Sequence, residues 1–371
     1  MLDSSTLGGC IVSILLYLLL FIYAMLQWND IKSNKVPMWI HIIILLFCIF
    51  AFWDTDYYHY KEALNDLNIN YGIKDQWTHL ETIYVWLYDF CGRSYFWFRL
   101  LVWGIAYLFF VVMATKLKIY NNLTFALFII LFLLTFSYAR VSLGMTSLFL
   151  AGVLCFSDKH RLLNIILGLL CLVLCYFSHR SMLPVLCLLP LCLLKYNRYL
   201  WAMVATMVFT FVFYNSDWII MALNTSVDMA EADDVSYETL LSAGGYVDRV
   251  SEISAGISMK LYRLIQYISI LLPIFIIVRK NVYKYCCSKM QCRVLCNSAI
   301  LIAISALAMG LLASFYSAMC YRYLYMAYVP IVLLVSKLYN AQVVTKKQVQ
   351  IIIFLGGIVS LYRLAYVIYT L

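Results

Sequence analysis

Charge is what this chain has least of. Only 12% of its 371 residues are Asp, Glu, Lys or Arg, and it has 5 histidines and 5 prolines. A water-soluble protein of this length carries about twice that charged fraction, and here 65% of residues are hydrophobic. A soluble globular domain is therefore excluded. Acids are scarcer still in one set of loops. There, 12 Lys and 4 Arg are accompanied only by Asp30 and Asp158, while the other 16 acids fall in the alternate set. The net charge of +9 thus reports membrane orientation rather than nucleic-acid binding, because Lys and Arg accumulate in cytoplasmic loops. No Lys or Arg precedes the first apolar run, so a cleavable signal peptide with its basic leader is not expected. No fixed-period repeat and no low-complexity tract is evident. The thirteen cysteines lie mostly inside apolar runs, which argues against a disulfide framework.

What the chain does have is apolar runs. A run of about 20 apolar residues covers a hydrocarbon core of about 30 Å. Twelve candidate segments lie at approximately 7–27, 37–53, 95–115, 122–138, 141–157, 162–178, 182–194, 200–216, 259–278, 294–313, 323–339 and 349–369. The expected fold is all-α: one polytopic transmembrane domain over 1–371, with the N-terminus outside. The segment 182–194 is short and holds Pro184 and Pro190, so it is expected to be kinked, broken or re-entrant. Two outer loops are long, about 54–94 and 217–258. Within the first, the aromatic spacing at Tyr84, Trp86, Leu87 and Tyr88 predicts an interfacial helix near Glu81–Cys91. The second carries eight acids against Arg249 and a Gly244-Gly245 hinge. It is either a mobile lid or a solvated connection. The stretch Arg279–Arg293 is expected to be a basic inner loop. Cys286, Cys287, Cys292 and Cys296 lie on it and at the next helix start, but CC-x4-C-x3-C is not a zinc spacing, and reduced thiols are the expectation.

Arginine is distributed against this orientation. The outer loops and outer helix ends hold 8 Arg and 3 Lys. Arginine there is costly, and its planar fork suits phosphate and carboxylate. Arg99, Arg140, Arg180, Arg263, Arg322 and Arg363 come from six parts of the chain. Gathered together, they would form an outward-facing cationic basin for a pyrophosphate. The bland alternative, strongest for Arg99 and Arg363, is snorkelling to lipid phosphates. His179 precedes Arg180, where a nearby cationic field favours the neutral imidazole and hence a general base. The alternative is a hydrogen-bonded histidine at a helix end. His41 lies near the other face and is read as structural. Asp54-Thr55-Asp56, Tyr57, Tyr60 and Glu81 add carboxylates for sugar hydroxyls and rings for sugar faces.

In this order these elements resemble the EpsG-like family of Wzy-type polysaccharide polymerases. The matching residues are Asp56-Tyr57 with Tyr60; Glu81; Arg140 with Ser142, Gly144 and Ser147; His179-Arg180-Ser181; and Arg322-Tyr323. The match spans roughly residues 50–330, and the Phe52-Trp53 that precede Asp54 depart from the Gly and Arg usual there. The resemblance implies a GT-C-like helical bundle in a bacterial cytoplasmic membrane. It implies an enzyme that joins undecaprenyl-pyrophosphate-linked oligosaccharide repeats at the outer face, with a flippase and a chain-length regulator as partners. In that reading Arg140, Arg180 and Arg322 hold pyrophosphate, with Tyr57, Tyr60 and Tyr323 beside substrate. His179 is the base, with Asp56 or Glu81 as alternatives, and neither metal nor cofactor is required. Three rivals remain. One is a GT-C-type polyprenyl-phosphate-sugar glycosyltransferase. A membrane O-acyltransferase would need an inward donor site. A glycolipid flippase or transporter would need charges near mid-membrane.

Overall fold

A computed structural model describes residues 4–28, 35–50, 82–133, 139–157, 160–178, 189–196, 198–214, 257–312 and 324–370. Among these, all regular structure is helical. In chain order the helices are α1 (Ser4–Leu26), α2 (Met38–Phe50), α3 (Thr82–Phe90), α4 (Tyr95–Lys116), α5 (Asn122–Leu127), α6 (Ala139–Cys155) and α7 (Arg161–Ser178). They continue as α8 (Leu189–Cys192), α9 (Arg198–Tyr214), α10 (Ile257–Ile277), α11 (Lys280–Ser288), α12 (Met290–Leu312), α13 (Tyr328–Asn340) and α14 (Lys346–Thr370). Four are long and apolar enough to cross a membrane, and a fifth span results if α10 and α11, bent by 76°, are taken as one. The outer faces carry large apolar side chains. On α7 these include Leu162, Leu163, Leu170 and Tyr176, and on α9 Met203, Met207 and Phe211. Continuous exposed apolar faces of this size belong in lipid, and the chain is a helical membrane protein.

Three segments form the centre. Residues 123–133, Ser142–Ala151 and Leu324–Ser336 are buried on every side, the pattern of helices apolar all round. After Leu127, α5 widens into a π-helical segment, Phe128–Leu133. A π turn takes its hydrogen bonds one residue further along and leaves carbonyls short of donors. Ser360 of α14 supplies one, its hydroxyl donating to the Ile130 carbonyl at 2.8 Å. α14 can come this close because Gly356 faces the same place. A Cβ there would meet Leu131 Cδ2 at 2.5 Å and Ile130 Cγ2 at 2.6 Å. Gly168 plays the same part between α7 and α6, where a Cβ would run into the Cys155 sulfur.

Side-chain bonds gather the basic helix ends at one end of the bundle. Tyr23 donates to Asn122 at 2.9 Å, and Lys116 to Asn164 at 3.3 Å. Lys337 donates to the Leu117 carbonyl at 2.6 Å, Gln350 to the Trp28 carbonyl at 3.1 Å, and Gln291 to the Val153 carbonyl at 2.7 Å. His41 belongs to this end. Its two ring nitrogens meet the hydroxyls of Tyr107 at 2.7 Å and Tyr120 at 2.6 Å, which agrees with a structural role. Of the segment 182–194, in which a kink or break is expected, residues 182–188 lie outside the described residues, and Asn297 holds the described part. Its amide donates to the carbonyls of Cys192 and Leu194 at 2.9 and 2.8 Å, and its oxygen accepts from Tyr283 at 3.0 Å. Those carbonyls end α8 and have no partner within it.

One expectation needs correction. The basic stretch 279–293 is not a loop, because Lys280–Ser288 is a helix. Val282 and Cys286, four apart, are buried on it, and a 76° bend separates it from the span before. Cys286 and Cys287 on this helix, and Cys292 and Cys296 on α12, are free thiols, and among the described residues no group of three His, Cys, Asp or Glu is placed to hold a metal.

Candidate functional site

The end opposite the lysines contains a buried cation. Arg99 lies one turn into α4, and only 2% of it is exposed. Its guanidinium donates to the Cys48 carbonyl in the last described turn of α2 at 2.7 Å. Its carbon lies 4.4 Å from the centroid of Trp103 and 5.8 Å from that of Tyr95. These rings are four residues either side of Arg99, on one helix face. Desolvated contacts of this kind contribute about 2 kcal/mol each and offset much of the cost of burying the charge. Tyr84 and Tyr88 of α3 complete the wall, edge-on to Phe98 at 6.3 and 5.9 Å. The helix anticipated beside Glu81 is therefore present and pinned to α4 by its buried tyrosines. Arg99 does not snorkel: it is a fixed internal cation. Arg93, by contrast, is surface-placed and pairs with Asp89 at 2.9 Å.

A second polar feature joins α10 to the start of α13. Gln266 donates to the Tyr325 hydroxyl at 2.7 Å, and the hydroxyls of Ser269 and Tyr328 lie 3.1 Å apart. All four residues are buried. Both partners step by three residues, so the bonds form two rungs of a ladder one turn apart. In the sequence they stand as isolated polar positions in apolar runs and were not singled out. The shared i,i+3 spacing was the available signal.

The residues singled out from sequence mostly lie outside the described residues: Asp56, Tyr57, Tyr60, Glu81, His179, Arg180, Arg322 and Tyr323. Arg140 opens α6, but its side chain also lies outside, as does that of Arg263. The outer loop segments 54–81 and 217–256 fall there too. The described helices next to these positions are informative. Glu81 immediately precedes α3, and His179 immediately follows Ser178, the buried last residue of α7. In sequence, Arg322 comes two residues before the buried Leu324 and three before Tyr325 of the Gln266–Tyr325 rung. These helices are neighbours in a row: α3 packs on α7, α7 on α6, and α6 on α13. The small residues after Arg140 make the row tight. Ser142, Thr146 and Ser147 are buried. Thr146 and Ser147 turn their hydroxyls back onto the carbonyls of Ser142 and Leu143 at 2.7 and 2.5 Å.

Comparison with protein-family models, with curated proteins and with solved structures finds no match to this chain.

Proposed function

We propose that this chain is a glycosyltransferase that polymerises oligosaccharide repeats carried on undecaprenyl pyrophosphate, at the outer face of a bacterial cytoplasmic membrane. The architecture in this reading is a GT-C-like bundle of about twelve spans. The observation that carries the reading is the ordered motif set Asp56-Tyr57, Glu81, Arg140, His179-Arg180 and Arg322-Tyr323. Its bordering helices α3, α7, α6 and α13 stand side by side. Orientation is supported by the gathering of basic turns at the other end of the bundle, which the positive-inside rule assigns to the cytoplasm.

The chemistry is a substitution at an anomeric carbon. The terminal hydroxyl of one lipid-linked repeat attacks the anomeric carbon of the growing glycan. The new C–O bond forms as the bond to pyrophosphate breaks, and undecaprenyl pyrophosphate leaves with the electron pair. Arg140, Arg180 and Arg322 bind the charge that grows on the leaving diphosphate, which is where fixed donors lower a barrier most. His179 accepts the hydroxyl proton, with Asp56 or Glu81 as the alternative acceptors. Tyr57, Tyr60 and Tyr323 cover sugar faces. The deciding experiment supplies purified chain with undecaprenyl-pyrophosphate-linked repeats. A ladder of products supports polymerisation. Transfer of a single sugar from a polyprenyl monophosphate instead would make it a glycosyltransferase of the simpler kind. Movement of the glycolipid across the bilayer without bond formation would make it a flippase.

A further inference from the structure

The span α10 ends in an elbow that the proposed chemistry does not use. Leu261, Leu264, Ile268, Phe275 and Val278 of α10 are exposed. Their spacing of three, four, seven and three residues draws one stripe along a single helix face. The stripe runs about 25 Å, close to the depth of a hydrocarbon core, so it faces lipid chains. It ends on a cation. The Arg279 guanidinium lies 5.5 Å from the centroid of Phe275, a residue 60% exposed. Arg279 is exposed as well. Its charge therefore stands on the lipid-facing side of the span, at its end.

The chain then turns by 76° into α11. A span tilted about 20° from the bilayer normal leaves such a helix close to the membrane plane. Val282 and Cys286 of α11 are buried, and the helix packs on α12. Lys280 and Lys284, one turn apart, are exposed on its other side. Cations opposite an apolar pair are the pattern of helices that lie on anionic membrane surfaces. Like charges four residues apart weaken a helix left to itself, and an anionic headgroup beside them reverses the sign of that interaction. We infer that this elbow binds an anionic phospholipid, with an acyl chain along the α10 stripe and its phosphate among Arg279, Lys280 and Lys284. Arg279 supplies the fork of N–H donors that suits phosphate oxygens, and the two ammonium groups add attraction at the membrane surface.

The test uses the full chain in nanodiscs that mix phosphatidylcholine with phosphatidylglycerol. Native mass spectrometry reads how much phosphatidylglycerol each protein retains. Arg279→Gln, Lys280→Gln and Lys284→Gln, all at exposed positions, should each weaken retention about fivefold, and the triple variant about 100-fold. In discs of phosphatidylcholine alone the triple variant should melt with the parent. Lys35→Gln, at an exposed lysine ahead of α2, should retain the lipid fully. The inference is overturned if the triple variant retains phosphatidylglycerol as the parent does, or if Lys35→Gln loses as much. It is also overturned if the triple variant melts equally far below the parent with and without phosphatidylglycerol, because the cations then serve contacts within the protein. A thermal shift of the parent by inorganic phosphate in phosphatidylcholine discs, lost in the triple variant, would assign the cations to a soluble anion and overturn it too.

Discussion

Two adjacent glycines in α14 should respond in opposite senses to the same substitution. At Gly356 an alanine Cβ would sit 2.5 Å from Leu131 Cδ2 and 2.6 Å from Ile130 Cγ2, more than 1 Å inside the 3.5–4.0 Å separation of carbon atoms in contact. Neither neighbour can retreat easily. Both side chains are buried at 4% and 2% exposure, and Ile130 branches at Cβ, which stiffens it. The remaining response is for α14 to move off the π segment, which stretches the Ser360 bond one turn away. Overpacking of this kind costs about 1–3 kcal/mol, against a helix-propensity gain of about 1 kcal/mol for Gly→Ala. Gly356→Ala is therefore neutral at best and destabilising by up to about 2 kcal/mol. At Gly357 the nearest atom to a Cβ is Met25 Sδ at 3.6 Å, an ordinary contact, so the propensity gain is kept and Gly357→Ala stabilises. Fluorescence-monitored melting of the two variants in one detergent should place Gly357→Ala above the parent and Gly356→Ala level with it or below. A Gly356→Ala protein that melts above Gly357→Ala would refute the close approach of α14 to the π segment.

Further outcomes follow from the same bonds. Gln266→Leu and Tyr325→Phe, combined in a double-mutant cycle of melting temperatures, should show a coupling of about 0.6–1.7 kcal/mol; additive effects would remove the rung. Arg99→Lys keeps the charge but loses the planar fork lying over Trp103, and should lower stability by about 1–2 kcal/mol. Unchanged melting would show that the ring contacts contribute nothing. Asn297→Ala deprives Cys192 and Leu194 of their donor. Hydrogen–deuterium exchange over 189–196 should rise, and equal protection would dismiss Asn297 as the clamp. In cells, Arg140→Ala and Arg322→Ala should each abolish polymer while leaving single-repeat products. Normal ladders from both would take them out of the mechanism.

Much of the fold was legible because lipid imposes a simple rule on composition. The run predicted at 95–115 is Tyr95–Lys116, that at 162–178 is Arg161–Ser178, and that at 349–369 is Lys346–Thr370. Basic turns marked one end because lysine is tolerated only beyond the hydrocarbon. Lys280–Ser288 was missed because its charges masked a two-residue apolar stripe, Val282 and Cys286, too short to register as a period. The π segment was illegible for a different reason. Phe128–Leu133 reads as a plain apolar helix, and Ser360 and Gly356, arriving from α14 far along the chain, accommodate its wider turn. The candidate site rests on motif order, and its side chains lie outside the described residues. Whether arginines from separate turns face one ligand depends on long-range packing, and the row α3–α7–α6–α13 supplies that packing for the helices beside them. The burial of Arg99 was hidden because an arginine near a helix start has the same spelling whether it reaches for lipid phosphate or for the carbonyl of Cys48.

Convergence of Arg140 and Arg322 on one diphosphate is the claim on which the proposed mechanism depends. The direct measurement replaces both by cysteine, treats intact membranes with a short thiol-to-thiol cross-linker, and identifies the bridged peptides by mass spectrometry. The account expects a 140–322 bridge, formed by reagent added from outside the cell. Ready modification of both cysteines with no bridge between them would contradict it.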